Sequence, residues 1–81
     1  MDAIGTAWYV DVMEKLLLLA DEWAEANARP LDQEWSIAAC MVAETAMIDL
    51  VMRGPLGWED DFDQMRETIH PLLERVMRDA D

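Results

Sequence analysis

Two proline-bearing joints decide what this chain can become. Pro30 and Pro55 stand 25 residues apart. The stretches around them are dominated by Ala, Leu, Glu and Met, all strong helix formers. The residue before a proline is pushed out of the α region, so no helix is expected to run through Arg29-Pro30 or Gly54-Pro55. Gly54 suits the left-handed position just past a helix end, and Pro55 prevents continuation. This makes Gly54-Pro55-Leu56-Gly57-Trp58 the clearest boundary in the chain. No period-two alternation and no internal repeat compete with this reading. Helical segments joined by short loops must pack antiparallel to their neighbours. The expected fold class is therefore all-α: an antiparallel three-helix bundle, or four helices if the last one breaks at Pro71, in a single domain spanning 1–81.

The first helix is expected at about 6–28, capped by Asp2 or Thr6. Trp8, Val12, Leu16, Leu19 and Trp23 recur at spacings of three and four and mark one face. Asp11, Glu14, Lys15, Asp21, Glu22 and Glu25 mark the other, with Leu18 set among them one turn from Glu14 and Glu22. The second helix is expected at about 33–53. Asp32 is its cap, and Glu34 and Arg53 sit where the helix dipole favours an acid and a base. Ile37 to Ala43 is a run of seven residues without a strongly polar side chain. Cys40 lies inside it and is expected to behave as a small buried hydrophobe. A helix that is apolar all round is buried all round, yet two neighbours cannot enclose a third. Either this helix is central and tightly wrapped, or its spare face meets a second copy. The third helix is expected at about 59–79, with Phe62, Met65, Ile69, Leu73, Val76 and Ala80 as its core stripe and Leu72 and Met77 at the edge. Pro71 removes a backbone donor and clashes with the carbonyl four residues back, so a kink is expected near 70–71.

A chain of 81 residues buries only about 60% of its unfolded surface. Yet 53% of the residues are apolar, including four Trp and seven Met. Some apolar surface should stay outside or be covered by another chain. Against this stands a formal charge of −12. That charge disfavours direct nucleic-acid binding, which needs Lys and Arg against phosphates, and it disfavours anionic membrane surfaces. No apolar run is read as approaching the roughly 20 residues that cross a bilayer. The N-terminal Met-Asp-Ala-Ile-Gly lacks the basic region of a secretory leader, and the single Cys40 excludes an intramolecular disulfide. The expected location is cytoplasmic, with no membrane and no direct nucleic-acid partner.

The stretch Glu59-Asp60-Asp61-Phe62-Asp63 places four carboxylates in five residues. Helix electrostatics explains part of it: acids in a first turn meet free N–H groups and the positive dipole end. Asp60 as cap with Asp63 three residues later resembles a capping box. A calcium loop would need a central glycine, and none occurs between Asp60 and Asp81. Helical di-metal sites use Glu-x-x-His pairs. Glu67-Thr68-Ile69-His70, with Glu74 one turn on, is the one such element, and His70 is the only histidine. A metal-binding bundle is thus a lesser alternative that would need two copies, and neither metal nor cofactor is expected. Ser36 is the only serine, Lys15 the only lysine, and no Gly-rich phosphate loop is present, so no enzymatic activity is expected. Acyl carrier proteins share this length and acidity, but their Asp-Ser-Leu attachment motif is not matched by Glu34-Trp35-Ser36-Ile37.

What remains is recognition. Helical carboxylates one turn apart step by about 6 Å, comparable to successive phosphates on a nucleic-acid strand. Glu14, Leu18, Glu22 and Glu25 form one such row, and Asp60, Asp63, Glu67 and Glu74 another; Glu59 and Asp61 add charge beside the second, with Trp58 as an aromatic anchor. In charge, size and helicity the chain is similar to small acidic helical inhibitors of phages and bacteria: anti-CRISPR, anti-restriction and nuclease-immunity proteins. The resemblance implies a non-enzymatic inhibitor that blocks a basic nucleic-acid-binding site on a partner enzyme. The alternative is a homo-oligomeric subunit or assembly adaptor, a homodimer in its simplest form. Leu18, Met41, Met47 and Met52 are its candidate contacts, since Met adapts readily to partner surfaces.

Overall fold

The computed structural model describes residues 3–53 and 58–80; nothing is said of the side chains of residues 3–6, 59, 79 and 80. Three α-helices follow in order: α1 (Ala3–Ala26), α2 (Gln33–Arg53) and α3 (Phe62–Ala80). A single 3₁₀ turn, Trp58–Asp60, precedes α3. Each helix packs against both others, and no strand occurs among the described residues. The protein is an all-α three-helix bundle, 39 Å in its longest dimension.

The ends of the helices follow local chemistry. Thr6 lies inside α1 rather than capping it, and Asp2 lies outside the described residues. α1 ends two residues before its expected limit. Beyond it the Arg29 N–H donates to the Ala24 carbonyl (2.8 Å) and the Ala28 N–H to the Glu25 carbonyl (3.2 Å). That pair of bonds is a Schellman closure, and it holds Ala28 at φ 56°, a left-handed value usually given to glycine. Asp32 caps α2 by accepting the Trp35 N–H at 2.9 Å. The expected left-handed Gly54 lies outside the described residues.

The interior is drawn from all three helices. Val12, Leu16, Leu50, Met65, Ile69 and Leu73 are the largest fully buried side chains, each worth about 1.5–3 kcal/mol of transfer free energy. Two tryptophan pairs close the bundle. Trp8 meets Trp58 edge-on at 5.8 Å, and Trp23 stacks on Trp35 at 5.9 Å. α3 continues through Pro71 as one element, so the helix count is three. The reason is packing: Met65 and Ile69 before the proline and Leu73 after it are fully buried along one axis. The carbonyl that loses its donor belongs to Glu67, on the solvent-exposed side of α3.

Candidate functional site

The acidic stretch before α3 is fastened to the protein's own cations. The cap of α3 is Asp61, whose carboxylate accepts the Gln64 N–H at 3.1 Å. The expected cap, Asp60, is one residue too early, because the 3₁₀ turn occupies Trp58–Asp60. Asp60 instead pairs with Lys15 of α1 at 3.5 Å, and Lys15 also holds Asp11 at 3.1 Å. Asp63 pairs with Arg66 at 2.9 Å, and the Arg66 Nε lies 3.5 Å from Glu22 of α1. Thus Asp60, Asp63 and Glu22, three of the residues expected to meet a partner, are engaged within the fold. Such exposed, solvent-screened pairs add little stability singly, but they engage these carboxylates within the fold. The hydrogen bond to Asp11 holds the Lys15 ammonium above its ordinary pKa, with the charges of Asp11 and Asp60 adding to it against partial desolvation.

Trp58 corrects a second expectation. It is buried against Trp8 and the core, so it is not an outward anchor. An indole beside a small core covers its end more readily than it projects into water. Glu14, Glu25 and Glu67 are exposed and make no ion pair among the described residues. Leu18 is exposed too, flanked along α1 by Glu14 and Glu22. The side chain of Glu59 lies outside the described residues.

The outer face of α2 is of another kind. Ile37, Met41, Ile48, Val51 and Met52 are between 51% and 80% exposed. All fall on the side of α2 opposite its buried residues Trp35, Ala39, Val42, Ala43, Ala46 and Leu50. Met41 and Met52 were anticipated here, but Met47 is buried and belongs to the core. Cys40 is exposed rather than buried. Both corrections have one cause: an apolar run longer than one turn goes all round a helix, so part of it must point outward. Ile37, Ile48 and Val51 were missed, although with Met41 they fall at 37, 41, 48 and 51, the four-three rhythm of a helix seam interrupted at Glu44. A groove of about 220 Å³ continues this face toward α3, lined by Ala38, Met41, Val42, Thr45, Leu72 and Val76.

α2 is also long and apolar enough to cross a membrane by length and composition, which corrects the expectation that no segment approaches that size. Here its inner face is packed against α1 and α3. Among the described residues no group of three or more His, Cys, Asp or Glu side chains could hold a metal ion. His70 turns toward α1, where its Nε2 lies 3.3 Å from the Leu19 carbonyl, while Glu67 faces solvent. No family model, curated protein or solved structure matches the chain.

Proposed function

We propose that this protein is a non-enzymatic helical assembly subunit whose working surface is the outer face of α2. One observation carries the reading: five large apolar side chains, Ile37, Met41, Ile48, Val51 and Met52, lie more than half exposed on one face of one helix. Scattered surface hydrophobes are ordinary, but a contiguous strip of them marks an interaction site. Two of the five are Met, whose flexible thioether adapts to a facing surface. The acids of α1 and α3 then keep an otherwise sticky molecule soluble.

The test is the double variant Met41→Glu/Ile48→Glu. Neither side chain is part of the core, so the helical signal should be unchanged. Association with itself or with another protein should be lost. A variant that associates as the original does would refute the assignment.

A second reading keeps the acidic surface as the functional one: an inhibitor that occupies a basic nucleic-acid-binding site on a partner enzyme. The charge of −12 and the exposed Glu14, Glu25 and Glu67 support it. The pairing of Asp60, Asp63 and Glu22 with Lys15 and Arg66 weakens it. Its mark is salt dependence: capture by complementary charge weakens as salt rises, and reversing Glu14, Glu25 and Glu67 to Lys should abolish it. Capture indifferent to both would remove this reading.

A further inference from the structure

We propose that the occupant of the α2 face is a second copy of this chain, with the two α2 helices antiparallel across a twofold axis between residues 44 and 45. The inference rests on the assignment of α2 as the working surface and adds the partner and its register.

The first argument is self-complementarity. A twofold axis perpendicular to an antiparallel helix pair places residue i opposite residue 89 − i when it passes between Glu44 and Thr45. Met41 then faces Ile48 of the other copy close to the line of contact, and Ile37 comes level with Met52 beside them. Every apolar residue meets an apolar one, as an isologous interface requires. The one carboxylate in the middle of the strip, Glu44, is at the level of Thr45 of the other copy but on the opposite flank. Glu44 and Thr45 lie on opposite sides of the Ile37–Met41–Ile48–Met52 line, since successive helical residues turn by about 100°. The twofold keeps each flank on its own side, so the two Glu44 carboxylates lie on one rim and the two Thr45 hydroxyls on the other; the Glu44 pair repels across that rim, and added salt screens it.

The second argument is charge. Two molecules of −12 repel one another over most orientations. The acids on α1 and α3 include Asp11, Glu14, Glu22, Glu25, Asp63, Glu67 and Glu74, while the apolar strip of α2 holds only Glu44 near its middle. Contact through α2 is the approach that keeps the charged faces apart. A basic partner would be drawn to α1 and α3 instead. An anionic lipid surface would be repelled, and Glu44 would have to lose its water there.

The third argument is size. A standard interface buries about 800 Å² per partner, about one seventh of the 5511 Å² this molecule exposes. A strip about 31 Å long along the 21 residues of α2, widened by the groove to Leu72 and Val76, suits a small dimer of moderate affinity.

The experiment uses the whole chain. Sedimentation equilibrium up to about 100 μM should give twice the 9.3 kDa monomer mass, with association strengthened by added salt as repulsion is screened. Met41→Glu/Ile48→Glu, and independently Ile37→Glu/Met52→Glu, should give the monomer mass with the helical signal retained. Register is read in a Cys40→Ser background with a short bismaleimide. A mixture of Ile37→Cys and Met52→Cys chains should cross-link. Ile37→Cys chains alone should not, because antiparallel copies hold those positions about 22 Å apart. Cross-linking by Ile37→Cys alone would overturn the antiparallel register, and a dimer that survives both Glu pairs would overturn the use of α2. A monomer at every concentration that binds lipid vesicles or another protein, with binding lost in the Glu variants, would overturn the second copy and leave the α2 assignment standing. A monomer whose Glu variants differ in no readout would overturn both.

Discussion

Replacing Ala28 by glycine should stabilise this protein, against the usual direction of such a change. Ala28 sits at φ 56°, held there by the bonds Arg29 N–H to Ala24 carbonyl and Ala28 N–H to Glu25 carbonyl. A residue with a Cβ in that region carries a cost of about 1–2 kcal/mol, which glycine escapes. Glycine also loosens the unfolded chain, which takes back about 0.4–1 kcal/mol. The net gain is about 0.5–1 kcal/mol. Unfolding of 81 residues carries an entropy of about 170 cal/mol/K, so the midpoint should rise by about 3–6 °C. Thermal melts followed by circular dichroism measure this directly. Ala26→Gly is the control: Ala26 is the last residue of α1 and exposed, and the same exchange there should destabilise by up to about 1 kcal/mol. Ala28→Val should also destabilise, since a branched side chain tolerates the left-handed region least. If Ala28→Gly melts at or below the original, or tracks Ala26→Gly, the assigned closure of α1 is wrong.

Three further outcomes check other parts of the structure. Asp32→Ala and Asp61→Ala should each cost about 1 kcal/mol as lost caps, while Asp60→Ala should stay within about 0.5 kcal/mol as a surface change. Chemical denaturation of the three separates them, and equal losses would contradict the placement of the α3 cap. Leu50→Ala should cost about 2–5 kcal/mol, whereas Met52→Ala, two residues on but 80% exposed in the single chain, should cost under about 0.5 kcal/mol when measured at a concentration low enough to hold the monomer. A large loss at Met52 would mean its side chain is covered. Lys15 holds its proton above the ordinary 10.5, chiefly through Asp11, so its pairs contribute fully below that value and are lost as pH rises through the raised one. The stability advantage over Lys15→Met should therefore hold below the ordinary lysine pKa of 10.5 and shrink as pH rises above it, and an advantage that does not shrink there would refute the pairing.

Fold class was legible because its determinants are local. Pro30 and Pro55 forbid continuous helix, Asp32 announces a cap, and the spacing of Leu16, Ile69 and Leu73 names the inner faces. What failed depended on neighbours. Asp60 and Asp61 are both competent caps, and only the 3₁₀ turn, fixed by burying Trp58, selects Asp61. Met47 and Met41 are the same residue type on the same helix, and only the direction of the other two helices sends one inward and one outward. The cross-helix pairs of Asp60 with Lys15 and of Glu22 with Arg66 join residues more than 40 positions apart, beyond any spacing rule. The α2 strip was readable in principle from its four-three rhythm. Composition carries no phase, so the apolar surplus pointed to Met41, Met47 and Met52 alike, of which only Met41 and Met52 face outward.

The paired indoles give the protein two built-in optical probes. Trp8 with Trp58 and Trp23 with Trp35 sit at positions about 22 Å apart along α1. The first reports the junction of α1 with the turn before α3. The second reports the junction of α1 with α2, next to the Asp21 carboxylate that accepts the Trp35 indole N–H at 2.9 Å. The two pairs lie at nearly the same separation but differ in geometry, one near-parallel and one near-perpendicular, so their transitions couple differently. Loosening of either end should therefore be distinguishable in unlabelled protein by its own spectral change.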